Sequence, residues 1–508
     1  MLLVILCWEV AARALEGAYL LAGPSDVLVY LGANAGLMWR ALMVTLGEAA
    51  AGFVIGNLAA IALAAVAMIF PRAERAISWL ALLVFCLPIV ATGPILRVLF
   101  GPGPGPQVTL AALAVFYTTL IPLLVGVRAA PATWFDLVRS YGRGRVAMLV
   151  HVRAMAALPY LFAGLQIAAP AAVLGAMVGE FTGAERGMGV LAIRAMRTLD
   201  IEATWALATL ATVVSILVYA VVGQVARLLL KDPPPLILAP PRPSEGGSGG
   251  GWRTTLASVV VVGALAVLLW WAGLEAAGVP PFFGKRPSDV LAFLVTVPDA
   301  AAHRATLAAA LAETALYVVP GYLAGLALGA GLAAVLVLWP AFAAVAMPLA
   351  IALRSVPIIT TAPLVVLLLG RGAAGTITLV AIMVFFPTLV ACLHGMRQAP
   401  GQVLDVLDSY AAGPLDRLVH VQLPAMLPAF FAAARMAVPA AVLAVTVVEW
   451  LASGAGVGSL MALSASVSDY GMLWSALVIL ALLSCAGYAA VAAVERRVLA
   501  VFASEQLA

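Results

Sequence analysis

Arg97, Gln166, Glu180, Arg354, Arg435 and Glu449 lie inside, or at the ends of, long apolar runs. A strongly polar or ionisable group at membrane depth is costly to hold there, so it marks a functional position by default. Arg435 carries a planar, permanently charged fork suited to an anion such as a sulfonate. The competing reading is that it snorkels or pairs within the protein. Gln166 stands 269 residues earlier, at the equivalent place in an internal repeat. Glu180 and Glu449 close their runs at the outer end. A gate or a structural cap suits them better than contact with an anion, which a carboxylate repels. Arg97 and Arg354, in or near a third pair of runs, are candidates for lining the same path. No residue stands out as catalytic.

A second group lies in a connecting loop, Thr133-Trp134-Phe135-Asp136-Leu137-Val138-Arg139-Ser140-Tyr141-Gly142. Trp134, Leu137, Val138 and Tyr141 recur at i, i+3, i+4 and i+7, which is one face of a short helix. Asp136 and Arg139 fall off that face, and Gly142 is placed to stop the helix. Val403, Val406, Leu407 and Tyr410 repeat the stripe 269 residues on. An amphipathic helix between two apolar runs can lie on lipid headgroups or fit a groove of a cytosolic partner, and the pattern alone leaves both open.

Other chemistry is excluded. Gly278 to Arg286 approaches a phosphate-binding loop, but the spacing is one residue too long. Arg286 stands where a hydroxyl should bind Mg²⁺, and Pro280 and Pro281 remove N–H donors. His151, His303, His394 and His420 form no metal-spaced cluster. Cys7, Cys86, Cys392 and Cys485 read as small buried hydrophobes.

The elements that must position these residues are membrane helices. The 508 residues are 65% hydrophobic and 10% charged, with a mean hydropathy of +1.12. A soluble domain carries about 25% charged residues. Apolar runs of roughly 20 residues recur, long enough to cross the hydrocarbon core, and no strand alternation points to a barrel. The expected class is an all-α polytopic membrane protein. The net charge of +4 reflects basic loops rather than a nucleic-acid partner. The Met1–Trp8 segment lacks the basic start and cleavage site of a signal peptide.

The chain is one unit written twice. Pro24-Ser25-Asp26-Val27-Leu28 recurs as Pro287-Ser288-Asp289-Val290-Leu291, and from Pro71 and Pro340 onward a constant offset of 269 holds. It pairs Pro88 and Pro94 with Pro357 and Pro363, Ser140-Tyr141 with Ser409-Tyr410, Glu180 with Glu449, and Gly187-x-Gly189 with Gly456-x-Gly458. The first copy occupies 1–230 and the second 254–508. Between them, 231–253 is rich in proline and then glycine and reads as a linker. Six spans per copy are expected, at 1–14, 41–69, 77–99, 108–128, 155–180 and 203–230, then 255–275, 307–338, 342–369, 374–394, 426–451 and 470–493. The span at 1–14 is too short to cross comfortably, so the true start lies upstream or the helix is a half-span. Arg72, Arg75, Arg128, Arg139, Arg143, Arg145 and Arg153 place their loops, the linker and both termini in the cytoplasm. An even span number makes the repeats parallel, with a transport path between them. A secondary transporter with two parallel six-helix halves fits that topology, although the paired loop helices and the lack of an acidic relay count against it. A membrane-embedded enzyme lacks a catalytic cluster.

The loop resembles the "EAA" loop of ATP-binding-cassette importer permeases. Asp136, Arg139, Tyr141 and Gly142 match in the first copy. Asp405 and Tyr410 match in the second, followed by Val421-x-Leu423-Pro424 and Leu427-Pro428. Ala411, Asp408 and Met155 depart from the Gly, Arg and Pro usual in the family. Trp8 to Arg13, Pro287 to Leu291, Arg354-Ser355-Val356-Pro357, and Glu449 with Gly456-Val457-Gly458 resemble the nitrate/sulfonate/taurine branch. Relatives that carry pyrimidine vitamin precursors look similar.

The resemblance implies two tandem six-helix domains of the type I importer kind in a bacterial inner membrane. Its partners would be two cytosolic ATPases, which use ATP and Mg²⁺, and a periplasmic or lipid-anchored binding protein. This chain would bind no cofactor and catalyse no reaction. The residues that meet the ATPases would be Trp134, Asp136, Leu137, Arg139, Tyr141 and Gly142, with Val403, Asp405, Leu407, Asp408, Tyr410 and Ala411. The first loop is basic and the second acidic, so the two dockings are expected to differ.

Overall fold

The computed structural model describes residues 2–14, 21–70, 73–230, 252–343 and 372–502, with positions 346, 365, 369 and 370. Arg354, Arg72, residues 231–251 of the linker and nearly all of the expected span at 342–369 lie outside the described residues. Among those described, all regular structure is helical.

The first copy runs α1 (Leu2–Ala14), α2 (Pro24–Ala33), α3 (Ala35–Ile69), α4 (Glu74–Cys86), α5 (Ile89–Phe100), α6 (Gly105–Arg128), α7 (Ala132–Ser140), α8 (Arg145–Met148), α9 (Met155–Phe181), α10 (Met188–Thr198) and α11 (Ile201–Leu229). The second copy follows with α12 (Trp252–Ala276), α13 (Pro287–Val295), α14 (Ala300–Leu338), α15 (Ala373–Arg397), α16 (Gly401–Ser409), α17 (Pro414–Arg417), α18 (Leu423–Val448), α19 (Gly456–Ser466) and α20 (Tyr470–Phe502). Eight described helices are long and apolar enough to cross a membrane, or nine if α4 and α5 count as one span.

Three details differ from the expected spans. At 1–14 the chain forms a 13-residue helix, about 20 Å long against a hydrocarbon core of about 30 Å. The runs expected to start at 155 and 426 begin earlier, giving continuous helical segments Val146–Phe181 and Pro414–Leu451. Each is entered through a wide turn, Leu149–Ala154 and Leu418–Gln422, at matching repeat positions. The expected span at 77–99 is two helices, α4 and α5, bent by 91°. Leu87 is extended, with φ −67° and ψ 129°, because the ring of Pro88 disfavours the helical conformation in the residue before it.

Within each copy the long helices meet through glycine. A Cβ at Gly52 of α3 would lie 2.4 Å from the Ala111 Cβ of α6, and one at Gly56 would lie 2.5 Å from the Ala112 carbonyl oxygen. Gly321 and Gly325 of α14 hold the same positions against Val380 and Ala381 of α15. Gly175 and Gly179 bring α9 onto Ala111 and Gln107. Such small residues let membrane helices approach to backbone contact, where dispersion replaces the missing hydrophobic drive.

The bent pair α4–α5 carries the seam between the copies. Leu82 and Cys86 pack on Tyr488 of α20, while Ala91 and Ile95 share a buried cluster with Val457, Met461 and Leu473. The Tyr117 hydroxyl of α6 donates to the Met436 sulfur of α18 at 3.0 Å. The largest buried cluster draws on both copies, from Met38 and Leu110 to Ala437 and Val448.

Candidate functional site

The two loop helices, α7 and α16, stand with their apolar side chains in the open. Trp134, Leu137 and Tyr141 are 46, 56 and 75% exposed, and Val403, Val406 and Tyr410 are 45, 55 and 80% exposed. Val138 and Leu407, expected on the same stripe, are half-buried and turn inward. Asp136 and Arg139 pair across one turn at 3.6 Å, both well exposed. In the second copy Asp405 is exposed, and Asp408 pairs with Arg417 of α17 at 2.7 Å. Gly142 ends α7 at φ +65°, and its counterpart Ala411 adopts φ +54°. The first helix is also tied back to the bundle. Arg153 places its guanidinium 5.6 Å from the Phe135 ring centre and donates to the Met68 carbonyl at 3.0 Å. Gln422 and Leu404 replace Arg153 and Phe135 in the second copy, so the cation–ring contact has no counterpart there.

At the far end of the fifth spans, Glu180 and Glu449 are 1% exposed. Glu180 accepts from the Gly189 N–H and the Thr45 hydroxyl, and that hydroxyl in turn accepts from the Met188 N–H at 2.9 Å. Glu449 accepts from Gly458 N–H at 2.8 Å and Thr314 Oγ1 at 3.0 Å, while Val457 N–H donates to Thr314 at 2.9 Å. Each carboxylate therefore occupies the N-terminus of a short helix, α10 or α19, where free N–H groups and the helix dipole favour negative charge. Gly187 and Gly456 must be glycine. Their φ values are +124° and +83°, and a Cβ would fall 2.2 Å and 2.1 Å from the carboxylate atoms.

Thr45 and Thr314 are partners that sequence reasoning missed, although they share the 269-residue offset. A second carboxylate attends each cap without that symmetry: Glu48 stands beside Glu180, and Glu313 accepts from the Gly456 N–H at 3.0 Å.

The remaining candidates are dispersed. Gln166 faces α11, where a Cβ on Gly223 would lie 2.4 Å from its amide nitrogen. Arg435, at the equivalent position, is buried and pairs with Glu495 of α20 at 3.0 Å, 5.7 Å from the Tyr488 ring centre. Both thus turn toward the last helix of their own copy. Arg97, half-buried on α5, approaches Gly183.

Comparison with known proteins fits this doubled arrangement. The family model described as binding-protein-dependent transport system inner membrane component matches twice, at residues 52–232 and 321–500. A probable ABC transporter permease protein of Haemophilus influenzae is 30% identical over 218 residues, covering 42% of this chain and 89% of the relative. The riboflavin transport system permease protein RibX of Chloroflexus aurantiacus is 30% identical over 236 residues, covering 46% and 87%. The formylaminopyrimidine transport permease protein ThiX of Halalkalibacterium halodurans is 26% identical over 230 residues, covering 45% and 92%. Each relative is matched nearly whole by less than half of this chain.

Proposed function

The chain belongs to the family of binding-protein-dependent transport system inner membrane components, and we propose that it is a fused pair of permease domains driven through α7 and α16 by two separate ATPase subunits. As the permease component of an ABC importer it is not itself the ATPase. In this reading it sits in a bacterial inner membrane with both termini and the two loop helices in the cytoplasm. A binding protein on the other side delivers the substrate. That substrate is a small organic anion of the sulfonate type, or a heterocycle of the kind for which two of the relatives are named.

The observation that carries the coupling is the pair of short helices at equivalent repeat positions, each showing a tyrosine and two further apolar side chains to the outside. Exposed aromatic and aliphatic side chains on a helix face are the anchors of helix-in-groove recognition. The test is co-purification of a P-loop ATPase with the detergent-solubilised chain, wild type against Tyr141→Ala plus Tyr410→Ala. Retention by wild type and loss in the double variant is expected. A monodisperse wild type that retains no ATPase would sink the reading.

A further inference from the structure

A cavity of about 380 Å³ opens between the copies, lined by Phe181, Met196, Arg197 and Leu199 from the first and Trp450 and Leu451 from the second. Phe181 and Trp450 are repeat mates, 269 residues apart, each directly following a cap carboxylate. A cavity that both members of one repeat pair line lies at the seam between the copies. In parallel repeats the transport path runs between the copies. Glu180 and Glu449 do not reach this space, because each is drawn into the N-terminus of its short helix. Among the described residues, the lining is two aromatic rings, Met196, aliphatic walls and one charged side chain, Arg197.

The symmetry is broken where specificity would need it. Arg197 has Ser466 as its mate, and Phe181 has Trp450. Leu199 forms the exposed rim at φ +55°, and its mate Ser468 shares the left-handed backbone at φ +61°. The turn is thus common to both copies, and only the first presents an apolar lip.

We propose that this cavity binds a planar heterocycle bearing one anionic group, with the ring system between Phe181 and Trp450 and the anion at Arg197. Aromatic faces stack on flat rings, and a guanidinium takes a carboxylate or phosphate in a two-point contact. The volume falls in the usual range for small-molecule sites. An aliphatic sulfonate offers nothing for the two rings to stack on. The site rests on the importer reading for its role in transport, but its occupancy can be measured independently.

The probe is flavin mononucleotide, a flat tricycle carrying a phosphate, titrated with the full purified chain in lipid nanodiscs. Stacking on an indole quenches flavin fluorescence. Wild type should quench it saturably, and Trp450→Leu should abolish the quenching. Arg197→Gln, a change at an exposed side chain, should weaken binding by at least about tenfold, since the two-point contact with the phosphate is lost. Uncharged riboflavin should respond to the Trp450 change and not to the Arg197 change, and taurine should not displace the flavin. Absence of saturable quenching in wild type, equal quenching in all variants, or displacement by taurine would each overturn the proposal. ATPase retention by the same preparations reads the importer reading separately. Variants that keep the ATPase and bind flavin unchanged defeat the cavity alone.

Discussion

Thr45 is the residue on which the first helix cap turns. Its hydroxyl donates a hydrogen bond to Glu180 and accepts one from the Met188 N–H, so Thr45→Val removes both bonds while keeping the shape. Each buried group left without a partner costs about 1–3 kcal/mol. A clear fall in the thermal midpoint of the solubilised protein is expected, with Thr45→Ser restoring most of it. A midpoint unchanged in Thr45→Val would show that Glu180 alone holds α10.

The participants in this cap were only partly legible in the sequence. Glu180, Glu449 and the paired glycines showed themselves through the repeat. The bond from threonine to glutamate did not, because it spans 135 residues and nothing local fixes which side of α3 faces α9. Arg435 was legible as an arginine at membrane depth. Its pairing with Glu495 was not, because that depends on the rotation of α20.

At the scale of elements, periodicity placed the helices and proline placed the break, but neither gave a direction. Pro88 signalled an interruption in the third span. The 91° turn that lays α5 against α19 came from the packing of Ala91 and Ile95, which a single-sequence pattern does not contain. In α7 and α16 a 3.6-residue period grouped Val138 and Leu407 with the outward stripe. The bundle draws those two inward and leaves Trp134, Tyr141, Val403 and Tyr410 outside. Glycine decides how closely the long helices approach, and α3 supplies its own control. Gly52 meets Ala111 at backbone range, whereas nothing lies within 4 Å of a Cβ at Gly47. Gly52→Ala should force α3 off α6 at a cost of about 1–3 kcal/mol, the usual penalty for overpacking. Gly47→Ala should be neutral or stabilising, since alanine is the better helix former. The comparison is read as thermal midpoint and yield of monodisperse protein. Equal behaviour of the two variants would dismiss glycine-mediated packing as the support of this helix pair.

Across the whole molecule, duplication supplies the architecture and divergence supplies the differences. The constant offset carries the caps, the wide turns before the fifth spans and the loop helices. At that same offset the residues diverge at Gln166 against Arg435, Phe181 against Trp450 and Arg139 against Asp408. The loop helices differ most in what lies behind them. In the first copy Arg153 links α7 to the end of α3 through the Phe135 ring and the Met68 carbonyl. In the second, Asp408 is held by Arg417 of α17. An ATPase docked on α7 would therefore push on a joint fastened to a long span and would meet the exposed Arg139 and Arg143. One docked on α16 would meet Asp405 and Asp408. Electrostatic attraction mainly governs the rate and specificity of encounter, so the two helices should not be interchangeable. Exchanging 132–142 with 401–411 puts Leu404 beneath Arg153 and Phe135 opposite Gln422, which removes the cation–ring contact, carries Asp405 and Asp408 into the first copy and moves Asp136 and Arg139 to the second. The exchanged chain should retain less ATPase than wild type at low ionic strength, with the difference shrinking as rising salt screens the charges. If both chains hold the ATPase equally at every salt concentration, the charge difference between the loops has no part in assembly, and the apolar stripes alone must carry the docking.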